Sequence, residues 1–66
     1  MKVKINGEVK DVPEGLNVSG LLQHLSMPGD RVAIERNLEI LPRADWNATT
    51  VQANDSFEIV HFVGGG

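Results

Sequence analysis

Lys2-Val3-Lys4-Ile5-Asn6-Gly7-Glu8-Val9-Lys10-Asp11-Val12 reads as two short strands joined by a two-residue turn. Lys2 to Ile5 alternates polar and apolar residues, which predicts a half-buried strand facing the core through Val3 and Ile5. Asn6-Gly7 supplies two residues that accept positive φ, as the favoured hairpin turn demands at both central positions. The second strand runs over Glu8 to Val12 and stops at Pro13-Glu14-Gly15. Val9 and Val12 fall on opposite sides of an unbroken strand, and a bulge would bring them to one face.

Beyond the hairpin the period changes. Val18, Leu21, Leu22 and Leu25 recur at i, i+3, i+4 and i+7, the single apolar stripe of a helix over Val18–Leu25. Asn17 is placed to cap it, and Leu16 with Leu21 fits a hydrophobic staple. Gly20 weakens the helix by roughly 0.5–1 kcal/mol relative to alanine, so packing must hold it in place. Pro28-Gly29 is the expected stop. Arg31 to Arg36 then predicts a third strand with Val32 and Ile34 inward, a tight turn near Asn37-Leu38, and a return through Glu39-Ile40-Leu41. Pro42 to Thr50 is expected to be irregular or to form a short helical turn. Asn54-Asp55 makes another turn, and Ser56 to Phe62 is the last strand. A hairpin, a helix and further strands give an α+β domain, a mixed sheet of four to five strands crossed by one main helix.

A chain of 66 residues holds one such domain and leaves little room for a deep pocket walled on all sides. The net charge is −3, and the six basic residues are scattered, so no basic stripe is present to neutralise phosphates. No apolar run reaches membrane-spanning length, and the charged N-terminus is unlike a secretory signal; the expected compartment is the cytoplasm. With no cysteine, the chain has neither a disulfide nor a thiolate nucleophile.

Val63-Gly64-Gly65-Gly66 follows the last strand directly. A phosphate-cradling loop is excluded, because such a loop must lead into a helix. A frayed terminus is the bland reading, but frayed ends are usually polar, and here three glycines abut a core strand. Fully extended, Val63 to Gly66 reaches roughly 13–14 Å beyond the fold. Lacking side chains, residues 64–66 are expected to form a flexible tail on a domain over 1–63, able to thread a narrow channel. In the last strand Glu58, Val60 and Phe62 share a face that Glu58 should keep in solvent. Val60, Phe62 and Val63 therefore form a candidate docking patch beside the tail. A terminal carboxylate at Gly66 becomes useful once a partner activates it. Adenylation with ATP makes an acyl-adenylate, from which a sulfur nucleophile displaces AMP to leave a thiocarboxylate, or an amine displaces it to form a covalent modifier.

Asn6-Gly7-Glu8, Val18 with Leu21-Leu22, Val32-Ala33-Ile34-Glu35 through Asn37, Leu41-Pro42-Arg43, and Asp55 with Glu58 to Gly66 together resemble the thiamine-pathway sulfur carrier family (ThiS). The resemblance covers the whole chain and implies a ubiquitin-like β-grasp fold. It also implies partners: an ATP-dependent adenylating enzyme acting on Gly66, sulfur-relay proteins fed by a cysteine desulfurase, and a thiazole synthase that accepts the sulfur. On that reading the protein is a co-substrate with no cofactor of its own. Asn17, Leu38 and Asn54 depart from residues frequent in the family, and Leu38 leaves the turn type there open. The competing functions are the small subunit of molybdopterin synthase or another thiocarboxylate carrier, a ubiquitin-like protein modifier, and an inert binding module.

The remaining polar residues carry bland readings. His24 and His61 lack ligand spacing with other metal-binding residues, so no metal site is expected. Ser19 and Ser26 lack a nucleophile elbow, so no catalytic residue is indicated. Trp46 is expected to cover one edge of the core, and Arg43 to make a surface ion pair.

Overall fold

The computed structural model describes residues 1–27 and 29–62. Strands β1 (Lys2–Ile5), β2 (Glu8–Asp11), β3 (Val32–Arg36), β4 (Glu39–Leu41) and β5 (Ser56–His61) accompany one α-helix, α1 (Val18–His24). Short 3₁₀ turns occupy Gly29–Arg31 and Arg43–Asp45. The sheet has the order β2-β1-β5-β3-β4. Its terminal strands β1 and β5 run parallel, and all other pairs are antiparallel. This is the mixed α+β sheet that the sequence predicts, at five strands.

The first hairpin forms as read, with Asn6 and Gly7 both at positive φ. No bulge is needed in β2. The register sets Lys10 opposite Val3 and Glu8 opposite Ile5, so Glu8, Lys10 and Val12 share the core-side face. Glu8 and Lys10 sit there at the sheet edge in solvent, while Val12 is buried beyond the strand's end. Val9 points to the opposite face and stays exposed. On that outer face the Lys2 ammonium lies 2.9 Å from Asp11 Oδ2. Its hydrogen bond, and then its charge, hold the Asp11 carboxyl below its ordinary value.

Helix α1 begins where Asn17 predicts. The Asn17 side chain accepts from the Gly20 amide at 2.7 Å, and its backbone is extended as a cap requires. The helix ends earlier than Pro28-Gly29. Ser26 takes a left-handed conformation, Met27 N donates to Leu22 O at 2.9 Å, and Ser26 N donates to Gln23 O at 3.0 Å. This double reversal, the Schellman motif, closes the helix at His24 and leaves Leu25 as its half-buried cap. Likewise the 3₁₀ turn over Gly29–Arg31 takes Arg31 out of the third strand.

Val18, Leu21 and Leu22 of the helix pack on Val3, Ile5, Ile34, Phe57 and Ile59 of the sheet. Full burial of each larger side chain stabilises the fold by about 1.5–3 kcal/mol. Trp46 and Val51 extend this core, and the Trp46 indole donates to Leu41 O at 3.1 Å. The Arg43 guanidinium lies over the Trp46 ring at 4.6 Å. The expected surface ion pair is therefore replaced by a cation–π contact, since Arg43 starts the 3₁₀ turn that carries the indole. Among the described residues no helix is long and apolar enough to cross a membrane.

Candidate functional site

β5 is the middle strand of the sheet, hydrogen-bonded to β1 on one side and β3 on the other. Phe57 and Ile59 point into the core, as the alternation predicts. Glu58, Val60 and Phe62 point outward; Val60 is 59% and Phe62 51% exposed. The strand ends at His61, but Phe62 N still donates to Arg31 O at 3.0 Å. That bond carries the β3–β5 pairing on to Phe62, the last described residue. Val63, Gly64, Gly65 and Gly66, the expected end of the patch and reactive tail, lie outside the described residues.

The outer face is wider than β5. Val60 pairs with Ala33, and Glu35 pairs with Glu58 on one side and Ile40 on the other. A recess of about 180 Å³ opens there, lined by Ala33, Ile34, Glu35, Ile40, Glu58 and Val60. Ile40 is 79% exposed at one rim, and Leu38, in the turn before β4, is 92% exposed. The sequence reading missed Ile40, Leu38 and Ala33. A turn confined to Asn37 and Leu38 would have revealed them, because it fixes Arg36 opposite Glu39 and hence Glu35 opposite Ile40.

This face has an electrostatic fault. Glu35 and Glu58 stand directly opposite each other, and like charges so placed are destabilising. Neither takes part in an ion pair among the described residues. The arrangement joins exposed apolar side chains to two uncompensated carboxylates. His24 lies in the last turn of α1 and His61 at the exposed end of β5. No group of three or more potential metal-binding side chains occurs among the described residues.

The family model described as "ThiS family" matches residues 3–66. The chain belongs to the ThiS family. A crystal structure of a ThiS thiamine biosynthesis protein from Geobacter metallireducens superimposes with a TM-score of 0.85 at 39% identity, covering all of both chains. The five-stranded mixed sheet with its single helix is thus the β-grasp that the resemblance implies. A sulfur carrier protein ThiS from Bacillus subtilis is 34% identical over 65 residues, 97% of this chain and 98% of that one. A thiazole synthase from Magnetococcus marinus is 39% identical over 66 residues. That protein is far longer: the match spans all of this chain and 20% of its length.

Proposed function

We propose that this chain is a sulfur carrier in thiamine biosynthesis, working through the carboxylate of Gly66. The observation that carries the reading is the ThiS family match over residues 3–66, which takes in Gly64-Gly65-Gly66. The likeness to the Bacillus carrier over nearly the full length of both chains supports it.

In this reading Gly64 and Gly65 thread an activating enzyme's channel, and a Gly66 carboxylate oxygen attacks the α-phosphorus of ATP. Pyrophosphate leaves. A persulfide on a relay protein then attacks the acyl carbon and AMP leaves. A second thiol attacks the resulting acyl disulfide, forms a disulfide with the relay protein, and releases the C-terminus as a thiocarboxylate. Its sulfur passes to a thiazole synthase; the stretch resembling this chain within the Magnetococcus enzyme supports that acceptor. The protein is a co-substrate, and ATP belongs to its partner.

Docking must compensate for the ordering of the tail. Three glycines cost roughly 3–6 kcal/mol to immobilise. Val60 and Phe62 are already about half buried, so covering them fully returns only about 2–3 kcal/mol. Adding Ile40 and Leu38 raises the return to about 4–8 kcal/mol, enough to offset the tail. The whole outer face is therefore the docking surface in this reading, and Glu35 with Glu58 favours a partner that presents basic groups.

The test is ATP–pyrophosphate exchange with the activating enzyme, followed by intact-mass measurement of the carrier. Phe62→Ala is expected to raise the carrier concentration needed while leaving adenylation possible at saturation. Deleting Gly66 shortens the reach by about 3.3–3.6 Å, and reacting atoms must approach to roughly 3–3.5 Å, so adenylation is expected to vanish. Equal adenylation and sulfuration of the shortened and intact proteins would overturn the carrier reading.

A further inference from the structure

Asn6 does more than turn the chain. Its side-chain Nδ2 donates to Ile59 O at 3.1 Å, and its Oδ1 accepts from Ile59 N at 2.7 Å. Its backbone N–H donates to Phe57 O at 2.8 Å. The parallel β1–β5 register covers only Lys4 with Ser56 and Ile5 with Phe57. The Asn6 amide therefore acts as the next residue of β1, satisfying both backbone groups of Ile59.

The same residue precedes Gly7, whose lack of a side chain leaves its backbone nitrogen open to attack on the Asn6 amide carbon. Nothing lies within 4 Å of where a Gly7 Cβ would sit, so the turn at Gly7 is not packed against other parts of the fold. In this reaction the Gly7 nitrogen loses its proton and bonds to Asn6 Cγ, ammonia leaves, and a five-membered succinimide results. Water then opens the ring at either carbonyl, giving aspartate or isoaspartate. Ring closure requires the Asn6 amide to swing toward Gly7, which breaks both bonds to Ile59.

We propose that Asn6 is a latent deamidation site held closed by its two hydrogen bonds to Ile59, so that reaction there makes an opening of the β1–β5 ladder permanent. The product cannot close again in the native way. An aspartate side chain is ionised and acceptor-only at neutral pH, so it cannot donate to Ile59 O and sets a negative charge against that carbonyl. Isoaspartate adds a methylene to the main chain, which displaces the turn from its register. Ile59 lies in the strand that leads to Phe62, so the lesion weakens the root of the C-terminal segment.

The experiment uses the intact protein in mildly alkaline buffer, with and without denaturant. Mass spectrometry follows the unit-mass gain of amide-to-acid conversion, fragmentation assigns its site, and enzymatic isoaspartate methylation confirms the product. Asn6 is expected to be the first asparagine to react in denaturant and to react at least about tenfold more slowly in the native protein, since both bonds must open first. Its native rate is expected to rise with denaturant below the unfolding midpoint. Equal rates in the two states, or earlier reaction at Asn37 or Asn54, would overturn the proposal. Asn6→Asp tests irreversibility, because aspartate tolerates the left-handed turn but lacks the donor. A lower urea midpoint, or failure to fold, is expected; an unchanged midpoint would defeat the claim that the opening is permanent.

Discussion

Asp55 is the one charged residue buried among those described. Its carboxylate accepts from Arg36 Nε at 3.1 Å, Asn37 Nδ2 at 3.1 Å and the Gln52 amide at 2.8 Å. Asn37 Oδ1 accepts in turn from the Ser56 amide at 2.9 Å, so one network ties the β3–β4 turn to the start of β5. Removing a buried partner leaves the others unsatisfied, and Asp55→Ala is expected to cost about 3 kcal/mol in a urea titration. Asp55→Asn should cost less, since its amide oxygen still accepts from Gln52. A loss below about 1 kcal/mol in Asp55→Ala would show the network to be incidental. Leu38 carries the opposite prediction. It is fully solvated at a φ of 72°, where a Cβ is strained, so Leu38→Gly should raise stability by about 0.5–1 kcal/mol. In the docking reading the same change weakens binding to the activating enzyme, a combination that simple destabilisation cannot produce. Asp11 predicts a pH effect. Its folded pKa is depressed, so its contribution is present above the unfolded value and lost as pH falls through the lower folded value. Both partners are exposed, so Asp11→Asn should remove this acid-range dependence with little effect on neutral stability, more visibly at low salt.

The elements show how much of the fold was legible and why. The first hairpin was readable because alternation and Asn6-Gly7 agree on it, and the helix start because Asn17 and the leucine stripe agree. The helix stop was hidden. Serine has no special preference for left-handed backbone, and only the bonds from Ser26 and Met27 reveal the Schellman closure. Ser26→Gly is accordingly expected to add about 0.5 kcal/mol, because glycine relieves strain there but gains freedom in the unfolded chain. Gly20, legible only as a weak point, has a spatial reason: a Cβ there would lie 3.2 Å from Asn17 Oδ1 and 3.3 Å from Leu16 Cδ2. The exposed Val60 and Phe62 were legible from strand alternation. Their neighbours Ala33, Glu35 and Ile40 were not, because adjacency across a sheet depends on register. That register predicts that Glu58→Gln should stabilise the β3–β5 pair by about 0.2–1 kcal/mol in urea while slowing association with a basic partner. An unchanged association rate would remove the acidic pair from the docking surface.

For the whole molecule, size sets the tolerance. At about 0.05–0.15 kcal/mol per residue, its total stability is roughly 3–10 kcal/mol. A single charge forced into the core consumes most of that. Leu21→Asp should abolish the cooperative transition and the dispersed NMR spectrum, whereas Val9→Asp, on an exposed face, should retain both. Retention of a folded spectrum by Leu21→Asp would contradict the assignment of the core. The central position of β5 has a mechanical consequence as well. A partner that grips the domain and draws on the chain beyond Phe62 pulls β5 along its own axis. The load slides the strand against β1 and β3 at once, so the ladders on both sides bear the tension together. An edge strand drawn sideways would instead lose its bonds in succession, as a zipper does. Pulled in shear from its middle, the sheet acts as a stiff handle, meeting tension applied at Phe62 with both of its inner ladders at once.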